Sequence, residues 1–195
     1  MAGTRVADGD RVTLRTVERE DLEFVQRAAT EPAIRHPLGS TVRTRDELAE
    51  AFEERDDTFL LVCVDGGEAG PNPEVVDGTG APGTGETRPI GAVRVESTDR
   101  TRPELSYWLA PEVHGQGYGT ESVALAVADT FRSRAVPAVA AGVYADNDAS
   151  RRLVESLGFS EEGRLRRHSF ADGAYRDLVT YSLLREEWEE NRTDG

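Results

Sequence analysis

The chain has 195 residues, 37% of them hydrophobic, which is enough for one full domain with its own core and too little for two. Acids outnumber bases 37 to 23, every base is Arg, and the net charge of −14 argues against nucleic acid as a bulk partner, because phosphate binding needs a basic face. No apolar run approaches the roughly 18 residues of a membrane-spanning helix, and "MAGTRVADGDRV" lacks the apolar centre of a signal peptide, so neither membrane nor export is expected and a cytoplasmic location is.

"RVTLRTV" (11–17) alternates Val12 and Leu14 with polar neighbours and reads as a half-buried strand. "EREDLEFVQRAAT" opens on acids and then spaces Leu22, Val25 and Ala29 as one helix face, and "TRDELAEAFEER" reads as a second helix. "TFLLVCV" (58–64) is a buried strand, with its lone Cys63 expected in the core rather than as a reactive thiol, and "PIGAVRVE" (89–96) is its antiparallel partner. The Gly- and Pro-rich segment between them, 65–88, has too few apolar anchors to offset its ordering entropy and reads as a mobile loop.

The second half is more regular. "ELSYWLA" (104–110) is a strand, and a helix over 120–133 places Val123, Val127, Thr130 and Phe131 on one face. "AVAAGVY" (138–144) is a strand. "NDASRRLVESLGF" is a helix with Ala149, Leu153 and Leu157 four apart, stopped by Gly158. "LRRHSFADGAYRDLVTYSLL" reads as a hairpin turning at Asp172-Gly173. Helical crossovers mixed with hairpins predict an α+β fold: one domain over 1–195, around a single mixed, mostly antiparallel sheet flanked by helices.

Between the strand at 104–110 and the following helix lies "HGQGYGT", with Gly115, Gly117 and Gly119 in alternation. A glycine turn that opens a helix is an anion site, since bare N–H groups and the positive helix end converge there and no side chain blocks approach. A nucleotide-triphosphate loop requires Gly-Lys-Ser/Thr, and the chain has no Lys. A dinucleotide fingerprint requires a different glycine spacing within a parallel unit at the start of a fold. A turn in which the glycines bind nothing is the plain alternative.

His114-Gly115-Gln116-Gly117-Tyr118-Gly119, and downstream Asn147 heading a helix that ends in Leu157-Gly158-Phe159, together resemble the GNAT acetyltransferase superfamily across roughly residues 10–185. The resemblance implies an acetyl-coenzyme A-dependent N-acetyltransferase. In that family the glycine turn cradles the coenzyme pyrophosphate on main-chain N–H groups, which assigns Gly115, Gln116, Gly117, Tyr118, Gly119 and Thr120 to the coenzyme, together with Asn147 and with His114, where Gln or Arg is usual. It also implies that the strand "SYWLA" splays from its neighbour and offers main-chain groups of Trp108, Leu109 and Ala110 to the pantetheine arm, while the side chains of Tyr107 and Trp108 pack the sheet.

Many members protonate the leaving thiolate with a Tyr seven residues after the Asn, and Val154 stands there. Asn-x-x-Ser, with "GYGTE", "DGAYRD" and "YSLLREEW", is similar to the branch that acetylates ribosomal-protein N-termini, which makes Ser150 the expected acid or thiolate stabiliser. An ordinary helical serine bonded back to its own turn is the alternative. Glu104 is the best-placed carboxylate for a general base and Glu96 the next, with water as an intermediary or no base at all if the amine arrives neutral. His168 is expected to line the acceptor pocket or to stand exposed on its hairpin, and "AIRHPLGS" with the first helices is expected to build that pocket. Three scattered His and one Cys make no metal site.

The expected reaction is direct transfer, in a ternary complex, of acetyl from acetyl-CoA to a primary amine: a protein N-terminal α-amino group by branch resemblance, or alternatively a polyamine, amino acid or antibiotic. A non-catalytic coenzyme sensor is the rival from another class. Superfamily members often dimerise, so a homodimer is compatible with the reading, though no interface is legible. The acidic, Lys-free surface suits a halophilic cytoplasm, where salt shortens electrostatic range to about 3 Å or less, with an Arg-favouring genome as the plainer explanation.

Overall fold

In the computed structural model, which describes residues 3–53, 57–65, 87–96 and 101–193, eight strands form one sheet in the order β1-β2-β3-β4-β5-β6-β8-β7. The strands are β1 (Arg5–Asp8), β2 (Thr13–Thr16), β3 (Thr58–Asp65), β4 (Thr87–Glu96), β5 (Glu104–Leu109), β6 (Ala138–Tyr144), β7 (Ser160–Ala171) and β8 (Ala174–Leu184). Every described pairing is antiparallel except β5 with β6, so the expected α+β fold with a mixed, mostly antiparallel sheet is what forms. Among the described residues no helix is long and apolar enough to cross a membrane.

Helices α1 (Leu22–Thr30), α2 (Pro32–Leu38), α3 (Arg45–Glu53), α4 (Tyr118–Ser133), α5 (Asp148–Ser156) and α6 (Arg185–Thr193) flank the sheet. α1 buries Leu22, Val25 and Ala29, the face that its spacing predicts. α4 buries Val123, Val127, Thr130 and Phe131 as expected, but begins two residues early, at Tyr118, because Gly117 acts as its N-cap.

α5 ends in a Schellman motif. Phe159 N–H donates to Val154 O at 3.1 Å and Gly158 N–H to Glu155 O at 3.0 Å, with Gly158 at φ +88°. Its buried face differs from the expected one: Val154 is 0% exposed, whereas Ala149 is exposed and Leu153 and Leu157 are half-buried. The apolar stripe of α5 is divided, because Ala149 and Leu153 line a cavity while Val154 is fully buried in the core, with Leu153 and Leu157 packed against its edge.

Three elements escape the sequence pattern. β1 has four largely exposed residues, α2 carries prolines at both ends of a seven-residue span, and α6 is strongly polar, with the Trp188 ring 5.1 Å from that of Phe131 and tilted against it. Most of the expected loop at 65–88 lies outside the described residues, but its two ends are strand: Asp65 pairs with Thr87, and Thr87 Oγ1 donates to Asp65 Oδ1 at 2.7 Å. Cys63 is a core residue, and burial pushes its thiol up to about 12. Asp172 (φ +52°) and Gly173 (φ +76°) make the predicted hairpin turn.

Candidate active site

The site begins where β5 and β6 part. They pair in register only at Glu104↔Ala140 and Leu105↔Ala141, although β5 runs on to Leu109 and β6 to Tyr144. Beyond Leu105 the two strands diverge, and a cavity of about 980 Å³ fills the opening. The expected splay is therefore present.

Which main-chain groups the splay frees follows from the ladder. Ala110 N–H donates to Ile90 O at 2.8 Å, and Ala140 N–H donates to Pro103 O at 2.9 Å. Antiparallel alternation then turns the main-chain groups of Trp108 and Ala110 toward β4, and those of Tyr107 and Leu109 toward the opening. Of the three residues expected to offer free backbone there, Leu109 alone faces the cavity, and Tyr107 takes the place of Trp108. The Trp108 side chain packs as expected, stacked 5.2 Å from Phe24.

The glycine turn closes one end of this cavity. Gly115 (φ +73°) and Gly117 (φ +84°) hold left-handed conformations, so the turn can present backbone rather than side chains. The first N–H groups of α4 have no partner carbonyl in their own helix and point, with the helix dipole, at the cavity that Gly115, Gly117, Gly119 and Thr120 line. A Cβ at Gly115 would meet nothing within 4 Å, which leaves room on that side for a bulky anion.

His114 and Gln116 do other work: His114 Nε2 lies 2.9 Å from Leu109 O and donates to it, while Gln116 O accepts from Arg11 Nη1 at 2.8 Å. Arg11, which sequence reasoning missed, also bonds Glu121 in the first turn of α4 and lies 5.0 Å over the Tyr118 ring. Only the fold brings residue 11 beside residue 116, so no local pattern could have flagged it.

α5 forms the opposite wall. Asn147 is its N-cap, and its Oδ1 accepts from Ser150 N–H at 3.1 Å. The Asn-x-x-Ser pair is thus a capping device that fixes Ser150 at the cavity surface. Ser122 and Ser156 bond back to carbonyls of their own helices, but no such bond is seen for Ser150 Oγ. Its hydroxyl faces the cavity, and Val154, at the position of the missing Tyr, sits in the core.

Glu104 stands at the mouth of the split. A Cβ at Gly142 would come within 3.1 Å of its Oε1, so the missing side chain there makes room for the carboxylate. Its pKa is raised, first by loss of water against the cavity walls and then by Glu96, its cross-strand partner, while His168 opposes the rise. His168 lies on an irregularity of β7 between Leu165 and Ser169 and lines the same cavity.

A second chamber of about 450 Å³ adjoins the first, sharing Glu96, Ser106, Tyr107 and Trp108 with it. Leu38, Gly39 and Ser40, from the segment expected to build an acceptor pocket, line it together with α1. There Arg94 bridges Asp57 and Glu96, the latter at 3.0 Å. Among the described residues no cluster of His, Cys, Asp or Glu could hold a metal ion.

The chain is similar to known proteins in sequence and in fold. Residues 11–160 match the Acetyltransferase (GNAT) domain family. The chain is 27% identical to the SPbeta prophage-derived uncharacterized N-acetyltransferase YokL of Bacillus subtilis over 187 residues, covering 94% of this chain and 95% of that protein. It is 34% identical over 101 residues to YdaF of the same organism, provisionally named a ribosomal N-acetyltransferase, covering 51% of this chain but only 55% of YdaF. In three dimensions it resembles spermidine N-acetyltransferase from Vibrio cholerae, solved with CoA and spermine, at a TM-score of 0.76 and 21% identity over 93% of this chain and 99% of that one. With a family match running from β2 to β7, the chain belongs to the GNAT family of acetyl-CoA-dependent N-acetyltransferases.

Proposed function

We propose that the protein transfers an acetyl group from acetyl-CoA directly to a primary amine, with both substrates bound at once. The observation that carries this is the convergence of the glycine turn, the split between β5 and β6, Ser150 and Glu104 on one cavity that opens into a second chamber. Residues 115–120 would hold the coenzyme pyrophosphate on backbone N–H groups, and the outward groups of Tyr107 with the N–H of Leu109 would hold its arm, the Leu109 carbonyl being taken by His114. Acetyl-CoA supplies the activated acyl group.

The chain's own residues then orient and neutralise. Alignment of two reactants in one cavity removes most of their entropic barrier, and fixed donors at the split answer charge developing on the carbonyl oxygen. Glu104, its pKa raised, takes a proton from the acceptor ammonium directly or through one water. Ser150, on α5, directs its hydroxyl at the leaving sulfur.

The acceptor class follows from charge at the junction of the two chambers. Glu96 and Glu104 face each other across β4 and β5, and Asp57 lies behind with Arg94. This favours an amine that arrives as a cation. A polyamine satisfies that, as the fold's likeness to a spermidine N-acetyltransferase supports, and so does a protein N-terminal α-amino group, as the partial likeness to YdaF supports.

Coenzyme release measured over a panel of polyamines, amino acids, aminoglycosides and N-terminal peptides tests the proposal. Turnover on at least one cationic amine is expected. Tight coenzyme binding with no turnover on any acceptor would make the protein a coenzyme sensor instead.

A further inference from the structure

Tyr107 stands on the partition between the two chambers and lines both. Its hydroxyl oxygen is buried, and among the described residues no atom meets hydrogen-bond geometry to it. A buried phenol normally finds a partner, since leaving it bare costs about 1–3 kcal/mol. The hydroxyl that acts on it is that of Ser150, on α5. Both residues line the same cavity, and while burial raises the phenol's pKa the Ser150 side chain draws it back down, so the two groups interact. Ser150 in turn has its N–H fixed by Asn147 while its Oγ stays uncommitted.

We propose that Tyr107 is a positioning residue for the acetyl-transfer reaction: its O–H donates to Ser150 Oγ and thereby turns the Ser150 hydrogen toward the leaving sulfur. The inference rests on the acetyltransferase reading above. A serine hydroxyl rotates freely and can accept as readily as it donates, so an empty lone pair would let it turn away from a developing thiolate. A phenol held fully protonated at neutral pH occupies that lone pair and leaves the serine a single direction in which to donate. No proton changes owner in this step. The side chain that resemblance assigned to sheet packing thus gains a polar task, and it partly replaces the tyrosine that Val154 displaces.

Two measurements test it. Tyr107→Phe is expected to lower kcat by roughly three- to tenfold, the size of one hydrogen bond, with the KM for acetyl-CoA changed less than twofold. The Tyr107→Phe/Ser150→Ala double variant should turn over no more slowly than Ser150→Ala alone. Wild-type kcat in Tyr107→Phe, or effects that multiply in the double variant, would overturn the proposal.

A readout independent of turnover uses ζ-13C-tyrosine NMR on the protein alone. The Tyr107 ionisation midpoint should move higher still in Ser150→Ala, and an unchanged midpoint overturns the pairing. If no amine is acetylated at all, the acetyltransferase reading fails while the titration still reports on the pair.

Discussion

Arg11 Nε lies 3.0 Å from Glu121 Oε2, and that contact ties the turn between β1 and β2 to the first turn of α4. The same guanidinium bonds Gln116 O, so it braces the glycine turn from outside. The pair is partly exposed, 43% and 18% for the two side chains, and an ion pair of that kind contributes less than about 1 kcal/mol. Arg11→Ala should therefore lower Tm by no more than about 4 °C. Its larger effect should be a several-fold rise in the KM for acetyl-CoA with kcat little changed, measured by steady-state kinetics. An unchanged KM would show that the turn keeps its shape unaided.

Gly117 and Gly115 separate conformation from contact. Both hold positive φ, which costs a residue with a Cβ about 1–2 kcal/mol. A Cβ at 117 would also sit 2.9 Å from Arg11 Nη2, whereas one at 115 meets nothing. Gly117→Val should abolish coenzyme binding, while Gly115→Ala should weaken it modestly. Calorimetric titration with coenzyme A checks both, and equal effects would deny the steric part of the explanation.

Ser150→Ala should lower kcat by about tenfold or more while the coenzyme KM stays near wild type. Asn147 keeps its capping bond in that variant, because the bond uses Ser150 N–H, so α5 should stay intact and circular dichroism should not change. Unchanged turnover would remove Ser150 from the reaction.

Glu104 has a raised pKa, so the folded state holds this proton more tightly than the unfolded chain does. Stability contributed by the group is thus lost as pH rises above its ordinary value of 4.5, the reverse of a salt-bridged carboxylate. Glu104→Gln should hold or raise Tm at neutral pH, an advantage that fades in acid. It should also lower kcat by roughly a hundredfold if Glu104 is the base. Glu96→Gln removes the like charge that helps to hold Glu104 up, and should shift the acid limb of the rate profile to lower pH. A limb that does not move would point to a different base.

The Lys-free, acid-rich composition carries its own prediction. Screening of a net charge of −14 should raise Tm steeply as KCl goes from dilute buffer to molar concentration. A fold equally stable at both ends would leave only the Arg-favouring genome as the explanation.

By itself the sequence determined the sheet's main strands, the helical faces of α1 and α4, and the turn at Asp172-Gly173, because each rests on a local period or a local φ requirement. It also determined the glycine turn and the Asn147–Ser150 spacing, whose chemistry is written within a few residues. It missed β1, α2 and α6, which have little apolar pattern and are held by pairing or packing with distant partners. Tertiary structure alone decided which β5 carbonyls face the split, since strand alternation cannot say which neighbour a strand keeps. It alone turned Ala149 and Leu153 to a cavity and Val154 to the core, set Arg11 behind the glycines, and put the bare hydroxyl of Tyr107 opposite Ser150. Those are contacts between residues far apart in the chain, and their energies exist only once the sheet has brought them together.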